Sequence, residues 1–323
     1  MPTFCRHGTL IESCPICRAS VQIEQRAAAQ QAVRRTVPRR SQSSVRPRKA
    51  SAAGPGRLMI RHEAREADDG FRSPLAPGLR ASADAARLAA ELGRASGRLA
   101  ALRSQPPGLY GEIAHEPDIE EASWLAFLVA YLGLLDEHQD PFATVRAVRT
   151  SWRSGELPAL EGVALGPRSA HDPGRGATTL IAYRRWAERS RSQAAAFAAE
   201  SSWSETQRFE RLFERLALPG LHRRARYDLL VTLGALGRYP LAAGSLLLTD
   251  DDAVCRAGKR VFGIGDRLTL ERRVRELAQA SGVEIAAFDL ALENWAAAQP
   301  SALGVPGAED AGARERVANA LGV

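Results

Sequence analysis

Over residues 82–297 the apolar positions recur at helical spacing and nowhere alternate in the manner of a strand, which confines the folded body to helices. No internal repeat interrupts the pattern. The run at 118–135, DIEEASWLAFLVAYLGLL, is apolar nearly all round behind an Asp118 cap and first-turn acids, so it is expected to be a buried helix. Further helices are expected from Asp140-Pro141-Phe142 to Val148, over 178–197, 206–216 and 223–236, and over 285–297 as the last core helix. A Gly/Pro-rich loop at 155–176 separates the first two of these. The Ala/Leu/Arg-rich stretch at 82–103, with Ser82 as N-cap, reads as a surface or linker helix. The body is then expected to start near Leu109, and the Ala/Gly-rich tail from Gln299 to be peripheral.

Lys259-Arg260-Val261-Phe262-Gly263-Ile264-Gly265-Asp266 reads as a helix end, a tight turn and the start of another helix. Asp250 or Asp251 is the expected cap of the helix entering it. Glycines at 263 and 265 leave room for backbone N–H groups to face an anion, at a helix N-terminus where partial positive charge gathers. This is the helix-hairpin-helix pattern, in which the turn grips a DNA phosphate; Gly263 and Gly265 with the flanking Lys259, Arg260 and Arg267 are the candidate DNA contacts. An ordinary turn between two core helices has the same sequence.

Ahead of the helical body lie two different stretches. Cys5, His7, Cys14 and Cys17 form Cys-x-His-x6-Cys-x2-Cys, a closed set of four ligands of the kind that tetrahedral Zn²⁺ prefers. A segment this short has no hydrophobic core, so a structural zinc would supply its reason to fold. Residues 18–65 then carry 12 Lys/Arg against Glu24 and Glu63, while the whole chain is +7, so the remainder sums to about −3. Rich in Arg, Ser, Pro and Gly, this arm is expected to be disordered and to offer salt-sensitive, sequence-independent affinity for nucleic acid, or to be a solvated linker. No apolar run approaches the ~20 residues of a membrane span. The N-terminus has Cys, His and Pro where a signal peptide would be apolar, which predicts a cytoplasmic protein. The organisation expected is a zinc-knuckle-like module at 1–20, a basic linker at 21–80, a linker helix at 81–108, a helical domain at 109–298 and a tail at 299–323.

The zinc-like module together with EEASWLAFLVAYL, DPF, GPR followed by His171, TLIAYRRWAERSRSQ, RFERLFERLALPG, RYDLLVTLG, KRVFGIGD and DLALENW, in that order, resembles the alpha-glutamyl/putrescinyl-thymine pyrophosphorylase family, clade 3 type. The resemblance spans roughly residues 110–297 plus the first 17. It implies an all-α domain akin to the helix-hairpin-helix DNA glycosylases. It also implies chemistry on DNA, in which pyrophosphorylated 5-hydroxymethyluracil loses pyrophosphate and a small amine takes its place. A kinase that phosphorylates hydroxymethyluracil in DNA is then the implied partner.

Such chemistry needs the base flipped out of the duplex or already single-stranded. Trp124, Tyr131, Tyr183, Trp186, Trp203, Tyr227 and Trp295 are the aromatic candidates for its walls, though residues at this spacing are more often core. A cation must receive the leaving pyrophosphate. Arg168 and His171 in the Gly/Pro loop suit a ligand-facing position, with Arg168 the preferred clamp. Asp289 or Glu293 would deprotonate the amine. Asp289 also occupies roughly the position of the catalytic Asp of helix-hairpin-helix glycosylases, 24 residues after Gly265; an N-cap of the last helix is its competing role. Where bifunctional glycosylases carry a Schiff-base lysine this chain has Arg267, which stays protonated, so a monofunctional glycosylase is the alternative enzyme. A non-catalytic DNA-binding module is the third reading.

Overall fold

Residues 66–136, 138–249, 252–263 and 265–323 are described by a computed structural model. The described residues hold twelve α-helices and no strand, so the all-α class stands. The expected zinc ligands Cys5, His7, Cys14 and Cys17 and the whole basic arm at 18–65 lie outside them.

The buried helix of the first half, α3 (Ile119–Leu132), begins where Asp118 accepts the Glu120 N–H and stops at Gly133. Around it lie α2 (Leu109–His115), α4 (Ala143–Val148), α6 (Gln193–Ala198) and α8 (Arg223–Ala235). Outside these, α5 (Thr178–Arg189) packs on α6 and α7 (Glu205–Arg215) on α8. The single helix expected over 178–197 is two: the chain turns at Arg191, with φ +73°, and restarts at Gln193. Ser192 caps the restart by accepting the Ala195 N–H at 3.0 Å, and the Glu120 carboxylate of α3 accepts the Gln193 and Ala194 N–H groups at 2.9 and 2.8 Å.

In the second half, α9 (Ala253–Phe262), α10 (Arg267–Ser281) and α11 (Ile285–Ala296) pack in sequence, followed by α12 (Ala311–Leu321). The last two of these pack on α1 (Ser82–Ser104), which corrects its assignment to a linker. Its Leu88, Leu92, Leu99 and Leu102 are buried, and α11 and α12 lie along it. A Cβ at Gly97 would come 2.7 Å from the Glu309 N, and one at Gly93 would come 2.8 Å from Arg314 Cβ. Small residues thus let α12 approach the α1 backbone, and the Asp310 N–H donates to the Gly93 carbonyl at 2.9 Å. The tail is therefore part of the core: Val317 and Leu321 are buried. The body also starts earlier than Leu109, since Ala76 and Leu79 are buried and the Gly78 N–H donates to the Val261 carbonyl at the end of α9.

Candidate functional site

The loop 166–171 is pinned to the end of α3. A Cβ on Gly166 would lie 2.1 Å from the Leu134 carbonyl, so only glycine fits, and the Ala170 N–H donates to the Tyr131 carbonyl at 2.8 Å. The pinning turns Arg168 inwards. Expected to face a ligand from the loop, its side chain is only 4% exposed. It donates to Asp228 through Nη2 at 3.1 Å and through Nε at 3.3 Å, and to Glu293 through Nη1. Its Nη2 also lies 3.6 Å from Asp289 Oδ2.

Around this pair the second half of the body adds its own charges. Arg223, at the first position of α8, donates to Asp289 Oδ1 and to the Leu246 carbonyl, and its Nε lies 2.9 Å from Asp252 Oδ2. Asp252 is the cap of α9, accepting the Val254 N–H at 3.1 Å, one residue later than the two aspartates expected for that role. Arg224 donates to Glu293 Oε1 at 2.6 Å and to the Pro167 carbonyl at 3.2 Å. Three arginines therefore meet four carboxylates across loop 166–171, α8, the α9 cap and α11.

Within this cluster Asp289 is the most perturbed group. It lies in the second turn of α11, not at its N-cap, which is Glu284. Burial, helped by the Asp228 and Glu293 carboxylates, outweighs Arg223 and Arg168 and pushes its carboxyl up to about 6. Its Oδ2 accepts no hydrogen bond. Burial also works against the Arg168 charge, but Asp228, Glu293 and Asp289 together hold the guanidinium more firmly protonated than usual.

The cluster reaches solvent at one edge. Glu293 and Asp228 are 14% and 17% exposed in their side chains, and Arg224 is 25% exposed. Pro167, whose carbonyl Arg224 holds, also walls a cleft of about 800 Å³ lined by Leu135, Asp136, His138, Ala164, Ala298, Gln299 and Pro300.

The other expected site residues fall elsewhere. His171 pairs its Nδ1 with Tyr131 Oη at 2.8 Å, and burial holds its imidazole below the usual range. Trp124, Tyr131, Tyr183, Trp186, Tyr227 and Trp295 are all buried in the core, and Trp203 is half-buried beneath Arg215. In the hairpin, Gly263 takes φ +85° and Asp266 caps α10 by accepting the Thr269 N–H at 2.8 Å. Lys259 is half-buried and Arg267 exposed, whereas Arg260 folds back over the Trp295 ring at 4.9 Å. Ile264 lies outside the described residues.

Arg223, Arg224, Asp228 and Asp252 are the members of the cluster that sequence reasoning missed. Their one signal was Arg-Arg followed by Asp228, with Arg224 and Asp228 one helical turn apart beside an apolar run. Among the described residues no group of three or more His, Cys, Asp or Glu is placed to hold a metal ion, and no helix is long and apolar enough to cross a membrane. No protein-family model, curated protein or solved structure matches the chain.

Proposed function

We propose that the protein binds DNA and acts on a modified thymine, displacing pyrophosphate from pyrophosphorylated 5-hydroxymethyluracil with a small amine. One observation carries the reading. Arg168, Asp289 and Glu293, singled out separately in the sequence, belong to a single buried cluster, and Arg224 ties that cluster to the carbonyl of Pro167 in the wall of a cleft. In the reaction the amine nitrogen attacks the 5-methylene carbon; the C–N bond forms as the C–O bond to pyrophosphate breaks. The proton released by the amine passes to Glu293, the partly exposed carboxylate that Arg168 and Arg224 hold, with Asp289, its own carboxyl raised by burial, as a second acceptor in the same cluster. Arg168 is almost fully buried among carboxylates, so its part is to hold Glu293 and Asp289 in place, and Arg224, paired to Glu293 but 25% exposed, is the guanidinium that meets the leaving group.

The α9–turn–α10 hairpin supports the DNA part of the reading, since its glycine turn and following helix N-terminus suit a phosphate. The zinc module at Cys5, His7, Cys14 and Cys17 and the arm at 18–65 would add affinity, and metal analysis of the purified chain is expected to give one zinc per molecule. A kinase acting on hydroxymethyluracil in DNA would supply the substrate.

The test is mass spectrometry of nucleosides after incubating the protein with DNA that carries 5-hydroxymethyluracil, with and without its pyrophosphate ester, plus an amine mixture. An amine-linked thymine is the expected product. Free base with an abasic site would instead assign a monofunctional glycosylase. No change in either substrate alongside salt-sensitive binding would leave a DNA-binding module.

A further inference from the structure

Helix α10 carries an exposed stripe that neither the buried cluster nor the core explains. Leu268, Arg272, Arg275 and Gln279 follow one another at intervals of four, three and four residues, which places them on one face, and all four are exposed. Leu268 is the outlier: at 81% exposure it far exceeds the other exposed large apolar residues described, Ile181 at 40% and Val323 at 41%. It stands in the first turn of α10, immediately past Gly265 and the Asp266 cap.

The charge around it is predominantly basic. Residues 253–282 hold seven Lys/Arg against Asp266, Glu271 and Glu276, in a body whose balance is about −3. Two of those three acids are spent locally. Glu271 is buried and accepts the Leu246 and Leu248 N–H groups at 2.8 and 3.1 Å, and Asp266 is the helix cap. Asp266 is nevertheless exposed beside Leu268, and Glu276 is exposed 4.0 Å from Arg272, so the exposed balance of the stretch is still basic. The result is a basic pole on a body that is otherwise acidic, with a bare leucine at its tip.

We infer that this stripe is a docking face for double-stranded nucleic acid, in which Arg272 and Arg275 lie against backbone phosphates and Leu268 enters the minor groove as an apolar wedge. The inference rests on the DNA reading above but adds a surface and a residue role to it. A stripe of arginines repeating along a helix matches a polyanion that offers phosphates at regular intervals. An exposed leucine gains nothing in water, whereas between base steps it is buried and props the duplex into a kink.

Fluorescence anisotropy of the full chain on a labelled random duplex, titrated across salt, tests this, with 2-aminopurine in the duplex reporting unstacking. Leu268→Ala is expected to weaken binding about ten- to hundredfold, the value of burying one leucine, and to abolish the 2-aminopurine enhancement while leaving the salt slope unchanged. Arg272→Gln/Arg275→Gln is expected to lower the salt slope by about 2, one unit per lost phosphate contact. Leu268 touches little, so its truncation leaves the fold intact, and a circular dichroism melt confirms that. If the wild type binds the duplex but neither variant changes slope, affinity or fluorescence, the docking face is wrong and the DNA reading survives. If the wild type does not bind the duplex at any salt, both fall. Unchanged duplex binding with loss of binding to anionic vesicles in the arginine variant would reassign the face to a lipid surface and overturn the proposal.

Discussion

Arg168 shows how a charged residue is captured by its backbone. Gly166 and Gly133 let the loop lie flat on the end of α3, and the arginine then has nowhere to point but inwards, among three carboxylates. Removing it takes the guanidinium from Asp228 and leaves Asp289 and Glu293 with only Arg223 and Arg224, so Arg168→Met is expected to cost about 3–5 kcal/mol in urea denaturation. Asp289 gives the pH counterpart. Its folded value of about 6 stands above its ordinary 3.8, so the folded state holds the proton more tightly. Its contribution to stability is complete below about pH 4 and is lost as pH rises through about 6. Asp289→Asn is expected to flatten stability against pH in that window, as read by denaturation midpoints at steps from pH 4 to 8. A midpoint profile identical to that of the wild type would show that Asp289 does not titrate there. Glu112 and Glu121 act in the opposite sense: burial raises them, but hydrogen bonds from Arg149 and Arg146, and from Ser151 with the Trp152 and Arg153 N–H groups, hold both below the usual range. Their share is lost as pH falls, so the substitution at 289 is needed to isolate the acid-side gain. Arg168, Asp289 and Glu293 were legible in the sequence because a Gly-Pro-Arg loop and carboxylates on an apolar helix are unusual. Arg223 and Asp228 were not, because on a helix they look like ordinary surface charges until another helix covers them.

At the scale of elements, local signals and tertiary ones divided cleanly. α7 has a full capping box, in which Ser204 accepts the Gln207 N–H while the Gln207 side chain accepts the Ser204 N–H, and its start at Glu205 is within one residue of the sequence reading. Ser204→Ala is expected to cost about 1 kcal/mol by thermal or urea denaturation. The break between α5 and α6 carries a local cap, Ser192, which accepts the Ala195 N–H at 3.0 Å, but it lies within an unbroken helix-favouring run, and the caps on the Gln193 and Ala194 N–H groups come from Glu120 of a different helix. α1 misled for a related reason. Its contact stripe includes Gly93, Ala95 and Gly97, small residues that carry little hydrophobic signal, yet allow α12 to come close. Gly97→Leu, by forcing a side chain against the Glu309 and Asp310 backbone, is expected to cost about 1–3 kcal/mol and to loosen α12, which limited proteolysis would detect as earlier cleavage after residue 300.

For the whole molecule, the helical class was readable from periodicity alone, but the grouping of helices was not. Adjacent segments in the sequence suggested a body beginning at Leu109 and ending near Ala297, whereas the helices at its two ends, α1 and α12, pack on each other. Sequence periodicity shows which face of a helix seeks cover and is silent on which helix covers it. The charge distribution follows the same division: the basic stretch around α9 and α10 is local and legible, while its exposed balance depends on Glu271 being buried against the Leu246 and Leu248 N–H groups.

The pairing of α1 with α12 also sets an order of events during synthesis. The partner of α1 is made about 200 positions later, so the half of the body that carries the hairpin lacks a wall until residues 311–321 have left the ribosome. A nascent chain would finish the α3-centred half first and assemble its hairpin half last. The hairpin therefore reaches its final packing only after translation has passed α12.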